Sequence, residues 1–554
     1  MGGLYMLDYG AGNVRSLWNA VRKLGYEIQT VKEPADILKA EKLIFPGVGA
    51  FGHAMLALES EGYTEPLKQY IASGKPYFGI CVGMQTLFEG SDETPDVKGL
   101  GIIPGRVRKF DAQTKAVPHM GWNSAAIRKD YRGQDLSEAE ATCGISDENR
   151  YYFVHSYAVP YEENLEDWVF TTTKYGDEVF VSSVRRGNMF CTQFHPEKSG
   201  YSGLRLLKSF LESEKIISED NVRISTVAHP SVGGFTKRII ACLDVRANDA
   251  GDLVVTKGDQ YDVREKSTAN GDVRNLGKPV DLARRYFEEG ADEITFLNIT
   301  SFRNCPMTDL PMLEVLRRAS QDIFVPLTIG GGIRDITDPD GTFHSALHVA
   351  NEYFRSGADK VSIGSDAVYA AEKYIANGNT SSGTTAIETI AKAYGAQAVV
   401  ISVDPKRVYV QSPSDTHHHV IKTPYIGPNG EQYCWYQCTV KGGREARDLD
   451  VRQLVVACEA MGAGEILLNC MDKDGTNSGY DLELIQDVKD AVSIPVVASS
   501  GAGSEQHFID VFAKTNVEAA LAAGIFHRQE VPIANVKKVL KQSGVPCRPM
   551  EIPL

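Results

Sequence analysis

Short apolar runs recur along the chain. Each ends in a Gly-rich or polar turn, and stretches of helical period lie between them. In residues 1–211 the segments KLIFPGVGAFG and KPYFGICVGMQTLF pass from an apolar strand into a Gly-rich turn and then a helix-like pattern. This alternation predicts an α/β domain. Residues 212–234, ESEKIISEDNVRISTVAHPSVGG, lack sustained periodicity and end in Pro and Gly, which marks a linker. A new apolar run, KRIIACLDV, opens a second domain over residues 235–554.

That second domain holds eight strand candidates: Ile239–Asp244, Glu293–Asn298, Val325–Gly330, Lys360–Gly364, Ala398–Asp404, Glu465–Asn469, Val496–Ser500 and Ala519–Ala523. Helical stretches such as Val280–Glu289, Pro311–Ser320 and Asp481–Ala491 separate them. Eight βα units in one segment predict a (β/α)₈ barrel with insertions. The barrel also repeats internally. IIACLDV is echoed by VVISVDP, GADEITFLNIT by GAGEILLNCMD, TIGGGI by ASSGAG and DKVSIG by AALAAG. Two half-barrels, each with Gly-rich ends at its third and fourth strands, predict two opposed phosphate sites and a substrate phosphorylated at both ends. Read blandly, the same glycines only make tight βα turns.

Composition narrows the picture. A length of 554 residues fits two large domains, and 43% hydrophobic with 23% charged residues fits a globular protein. A net charge of −14 argues against nonspecific nucleic-acid binding while allowing a local basic pocket. No apolar run of about 18 residues and no secretory pattern is present, so a cytoplasmic protein without a membrane span is expected. The ten cysteines are scattered, as free thiols would be. Cys434 and Cys438 are the closest pair, and no second pair completes a zinc set. The run His417-His418-His419 reads as a solvated loop rather than a metal site.

Gly79-Ile80-Cys81-Val82-Gly83 fits a nucleophile elbow with Cys for Ser. Its glycines allow a sharp turn, and the following helix places its N-terminus behind the sulfur. Phe194-His195-Pro196-Glu197 supplies a base that can take and return a proton, with a carboxylate to orient it. The turn Pro46-Gly47-Val48-Gly49 can offer backbone N–H groups as an oxyanion hole. Taken singly, these could be a core Cys, a surface His–Glu pair and an ordinary turn.

Together and in this order they resemble the class I glutamine amidotransferases. PGVG, GICVGMQ, PHMGWN and QFHPEKSG are similar to the glutaminase of the imidazole glycerol phosphate synthase family, over residues 4–211. The resemblance implies Cys81 as nucleophile, His195 as base and acid, and Glu197 as orienter. It also implies an oxyanion hole at Gly47, Val48 and Gly49. Glutamine would be held by Gln85 and Glu93, helped by His155, Ser156 and Tyr157.

In the barrel, Asp244 ends the first strand and Asp474 lies beyond the sixth. Both belong at the catalytic face, where two carboxylates can divide acid and base roles. Helix caps and turns are the commoner roles of such residues. The segments KRIIACLDV, VVTKGDQ, TIGGGI, GADKVSIG, AVVISVDPKRV, GAGEILLN, DKDGTNSGYD and ASSGAG resemble the cyclase of the same family over residues 236–546. The resemblance implies Asp244 and Asp474 as the catalytic pair, with Asp404, Lys257 and Ser365 lining the pocket. One phosphate site would fall on Gly331, Gly332, Gly364 and Ser365, the other on Gly475, Gly501, Ala523 and Gly524. The chain departs from many members at Asn298 (Asp elsewhere) and at Gly364-Ser365 (Asn-Thr elsewhere), and carries long insertions at Arg246–Asn275 and Gln411–Tyr433.

Arg238, Glu293, Lys360 and Glu465 stand at or near the starts of strands 1, 2, 4 and 6 and could close a ring of ion pairs at the barrel bottom. A salt-bridged layer that only stabilises is the plain alternative; the resemblance implies an ammonia gate. It further implies small-molecule substrates (glutamine and a diphosphorylated ribotide), an intramolecular glutaminase–cyclase interface and no cofactor or metal. With the partner domain already fused, a monomer is expected. A glutaminase fused to a pyridoxal phosphate synthase-like barrel, a histidine-pathway isomerase barrel and a non-catalytic glutamine sensor are the competing readings.

Overall fold

The computed structural model describes residues 3–10, 12–47, 49–131, 134, 136–214, 219, 222–224, 234–247, 253–256, 278–298 and 311–554. The chain divides into two compact units. The first comprises Met1–Thr236 with Ser320–Val325 and Arg548–Leu554; the second comprises Lys237–Ala319 and Pro326–Cys547.

The first unit is built on a mixed eight-stranded sheet. Its order is Gln29–Thr30, Leu4–Met6, Lys42–Gly47, Tyr77–Cys81, Met189–Thr192, Glu178–Arg186, Val169–Tyr175 and Ala126–Ile127. Pairing is parallel as far as Met189–Thr192 and antiparallel beyond it. The central strands Lys42–Gly47 and Tyr77–Cys81 are apolar because both sheet faces are covered. Leu43, Phe45, Tyr77, Leu58 and Leu67 belong to one core cluster with residues of the flanking helices. A separate antiparallel ribbon joins His119–Asn123 to Tyr151–His155.

The second unit is a closed barrel. Its parallel strands are Arg238–Ala247, Glu293–Asn298, Leu327–Gly330, Lys360–Ile363, Val399–Val403, Glu465–Asn469, Val496–Ser499 and Ala519–Ala522. Closure comes from the first strand pairing with the eighth, Arg238 opposite Ala519. Inward positions Ile240, Cys242, Val400, Leu467, Val497 and Leu521 form an apolar cluster, as the barrel interior requires. Leu253–Thr256 forms an antiparallel hairpin with the first strand. After the fifth strand, Pro405–Val410, Ile421–Lys422, Tyr433–Val440 and Glu445–Asp450 make a small antiparallel sheet. No helix among the described residues is long and apolar enough to cross a membrane.

Candidate functional sites

At the end of strand Tyr77–Cys81 the backbone turns sharply into the one-turn helix Val82–Gln85, and Cys81 takes φ 53°, ψ −110°. A non-Gly residue there is strained by about 1–3 kcal/mol, so the surrounding structure must hold it. The neighbouring glycines make this possible. A Cβ on Gly83 would lie 2.1 Å from Phe45 O, and one on Gly47 would lie 2.3 Å from Gly83 N. The end of strand Lys42–Gly47 therefore packs directly on the elbow, with Gly47 opposite Cys81 in the sheet. Gly49 has φ 117°; Val48 lies outside the described residues.

His195 follows strand Met189–Thr192, the neighbour of the Cys81 strand. Its imidazole hydrogen-bonds the Cys81 sulfur, and its Nδ1 lies 2.8 Å from Glu197 Oε1. Cys81, His195 and Glu197 are each no more than 6% exposed. Burial opposes a charge on His195, but the negative charges of Glu197 and Cys81 outweigh it and hold the imidazole well above its usual range. A cysteine hydrogen-bonded to an imidazole that a carboxylate orients can attack an amide carbon, with the imidazole relaying the proton to the leaving amine.

Beside the thiol lies a polar cluster. Gln85 Nε2 donates to Tyr157 O at 3.0 Å and to Gln193 Oε1 at 2.9 Å, and Gln193 Nε2 points at Cys81 Sγ from 3.4 Å. Gln193 was absent from the expected site; its only sequence signal is a polar residue between an apolar strand and the His195 motif. Glu93 Oε2 accepts from Phe51 N–H at 2.7 Å, capping the helix Phe51–Ser60 that follows the Gly47–Gly49 turn. Burial raises the Glu93 carboxyl above its usual range, and this hydrogen bond pulls it the other way. His155 Nδ1 lies 2.8 Å from Tyr157 O and its Nε2 3.3 Å from His119 Nδ1, while Ser156 O accepts from Phe110 N–H. Burial pushes His155 down to about 3 and His119 well below its usual range.

In the barrel, Asp244 is buried on the first strand. Asp474 is exposed in the loop after the sixth, its N–H donating to Cys470 O at 3.1 Å. Both act on one point: the Cys242 thiol is raised far above its usual range by burial first, then by the charges of Asp244 and Asp474. Asp244 is buried and Asp474 exposed, so the two carboxylates sit in environments of different wetness. Asp404 accepts from Asn469 Nδ2 at 3.0 Å, and burial raises its carboxyl against that bond.

Gly331 and Gly332 follow the third strand with φ 94° and 80°. Gly364 caps helix Ser365–Ala376, and Ser365 Oγ accepts from Lys441 N–H at 2.9 Å. Gly475 (φ 69°) lies in the Asp474 loop, Gly501 follows the seventh strand, and Ala523 and Gly524 begin the turn Gly524–His527 after the eighth. These groups occupy the C-terminal ends of strands 3 and 4 and of strands 6, 7 and 8. Asn298 ends the second strand. Lys257 and most of the Arg246–Asn275 insertion lie outside the described residues.

At the opposite strand ends, Arg238, Glu293, Lys360 and Glu465 are each the first residue of their strand. Arg238 bridges Glu293 (2.7 Å) and Glu465, and Lys360 bridges the same two carboxylates at 2.6 Å each. The ring expected from strand starts is therefore closed. Burial opposes the charge on Glu293, yet Lys360 and Arg238 keep its carboxyl below the usual range.

Comparison with known proteins fits both halves. The family described as Glutamine amidotransferase class-I matches residues 5–213, and that described as Histidine biosynthesis protein matches residues 238–532. The imidazole glycerol phosphate synthase hisHF of Schizosaccharomyces pombe is 63% identical over 540 residues, covering 97% of this chain and 98% of that protein. This chain belongs to the fused imidazole glycerol phosphate synthases. The family member from Emericella nidulans is 60% identical over 99% of both chains. The barrel alone is 39% identical, over 57% of this chain, to the imidazole glycerol phosphate synthase subunit HisF of Methanosphaera stadtmanae. Like the fused synthases, the chain is an enzyme that carries a glutaminase and a cyclase domain in one polypeptide.

Proposed function

We propose that the first unit hydrolyses glutamine and the barrel uses the ammonia to build an imidazole ring. Cys81 Sγ attacks the glutamine amide carbon, and His195 passes the thiol proton to the departing nitrogen, releasing ammonia. Water then cleaves the glutamyl thioester to glutamate, with His195 as base and Glu197 as its orienter. Backbone N–H groups of the Gly47–Gly49 turn stabilise the oxyanion. Gln85, Glu93, His155, Ser156 and Tyr157 hold the substrate.

In the barrel, Asp244 and Asp474 serve as the acid–base pair. Ammonia condenses with phosphoribulosyl-formimino-aminoimidazole carboxamide ribotide, giving imidazole glycerol phosphate and aminoimidazole carboxamide ribotide with loss of one water. Asp404 and Lys257 line the pocket. Gly331, Gly332, Gly364 and Ser365 take one phosphate; Gly475, Gly501, Ala523 and Gly524 take the other. The Arg238–Glu293–Lys360–Glu465 ring is the gate by which neutral ammonia enters the barrel core, since ammonium would meet a large desolvation cost there. The protein acts as a cytoplasmic monomer.

The observation that carries this reading is the strained Cys81 joined through His195 to Glu197, in a chain whose second unit is a closed barrel with Asp244 on its first strand. A glutaminase fused to a different ammonia-using barrel is separated from it by one assay. The wild type should form imidazole glycerol phosphate from glutamine, and Cys81→Ala should lose that by about 10⁴-fold or more while still working with ammonium salt. No imidazole product from either nitrogen source would refute the cyclase assignment. Lys360→Ala should uncouple glutamine consumption from product formation; unchanged coupling would remove the gate.

A further inference from the structure

We propose that the small sheet after the fifth barrel strand carries a binding site for a zinc-like divalent cation, formed by His417, His418 and Asp448. His418 Nε2 lies 2.8 Å and His417 Nε2 3.9 Å from Asp448 Oδ1. One ligand atom from each of the three falls within 4.8 Å of the others. Tetrahedral zinc with bonds of about 2.0–2.1 Å sets its ligand atoms roughly 3.3 Å apart, so the trio brackets the required spacing. Asp448 is 82% exposed at its side chain and can move the half ångström needed to admit the ion.

The surroundings are those of a built site. The His418 ring is buried, stacked on Trp435 with centroids 3.9 Å apart, which fixes its plane. Its second nitrogen, Nδ1, is buried without a hydrogen-bond partner among the described residues, with Asp450 Oδ2 3.5 Å away as the carboxylate that could engage it. A carboxylate behind a histidine ligand fixes the tautomer that presents the other nitrogen to a metal and makes that nitrogen more basic. Asp450 is itself anchored, capping helix Val451–Ala460 through Gln453 N–H at 2.8 Å and accepting from His419 N–H at 3.0 Å. Two imidazoles and one carboxylate select zinc, nickel or copper over magnesium or calcium, and leave a fourth position open to solvent. The ion would clamp the segment before Ile421–Lys422 to the end of strand Glu445–Asp450. The same sheet reaches Ser365 through the Lys441 N–H, so the clamp bears on the strand-4 loop of the barrel.

The test loads the full-length chain with Zn(II), dialyses it against metal-free buffer and measures bound zinc in the wild type, His417→Ala, Asp448→Ala and Asp450→Asn. The expected result is one equivalent fewer in His417→Ala and Asp448→Ala than in the wild type, and binding about 10–100-fold weaker in Asp450→Asn. Because His417 and Asp448 are exposed, their variants keep the fold, and zinc held elsewhere, for instance at Cys81, cancels in the difference. Excess Mg(II) should leave the ion in place. Equal zinc in wild type and His417→Ala, or displacement by Mg(II), would overturn the proposal.

Discussion

Cys81, His195 and Glu197 in the first unit and Arg238, Glu293, Lys360 and Glu465 in the second are similarly buried, yet they are built to different ends. In the ring, each carboxylate meets two cations and each cation two carboxylates, and every member starts a regular strand. In the thiol site the nucleophile sits on strained backbone, and Glu197 Oε2 has no hydrogen-bond partner among the described residues. Burial of charge therefore does not by itself distinguish a reactive centre from a quenched one. Between these two sites, backbone strain and unfilled acceptor capacity make the difference.

The comparison can be broken most forcefully at Glu197. Glu197→Gln should lower glutaminase turnover by about 10⁴-fold, as loss of an orienting carboxylate does elsewhere. Its signature is a downward move of the His195 titration, followed by NMR, because the largest charge holding that imidazole protonated is gone. Turnover within tenfold of wild type would mean that Glu197 is structural. At the ring, Lys360→Ala should cost about 3–5 kcal/mol in denaturant unfolding, since Glu293 and Glu465 stay buried one partner short. A loss below about 1 kcal/mol, the range of exposed pairs, would mean that water reaches the ring.

The smallest effect concerns His119 and His155, which the first unit buries in neutral form. Their folded values lie below the ordinary 6.5, so below that pH only the unfolded chain gains their protons. Stability is then intact above 6.5 and erodes as pH falls, until His155 titrates in the fold at about 3. From pH 6.5 to 5, His155 alone should remove about 2 kcal/mol. Unfolding read by fluorescence of Trp18, Trp122 and Trp168 should show this slope, and His155→Gln should reduce it. An unchanged slope in that variant would place the pH sensitivity elsewhere.

The sequence made much of this readable. All eight barrel strands fall within a few residues of their apolar runs, because inward and outward positions are both covered. The third starts at Leu327 rather than Val325, since Pro326 has no N–H to give a ladder. The first runs on to Ala247 because the hairpin Leu253–Thr256 pairs with it, a tertiary event no local pattern announces. Cys81, His195 and Glu197 were legible as motifs. Gln193 was not, because its role arises only when two parallel strands lie side by side. The reading of His417–His419 as a solvated loop holds for His417 but fails for His418, which Trp435 covers from another strand. The phosphate role of the glycines after strands 3, 4, 6, 7 and 8 comes from the family resemblance, and Val48 and Lys257 lie outside the described residues.

The backbone at Cys81 has a consequence for anyone improving this protein. Glycine would occupy φ 53° without penalty, so the fold gains by giving up its sulfur. Selection for heat resistance alone would drift toward that exchange and return a sturdier protein unable to cut glutamine. Only a screen that demands turnover keeps the cysteine where it is.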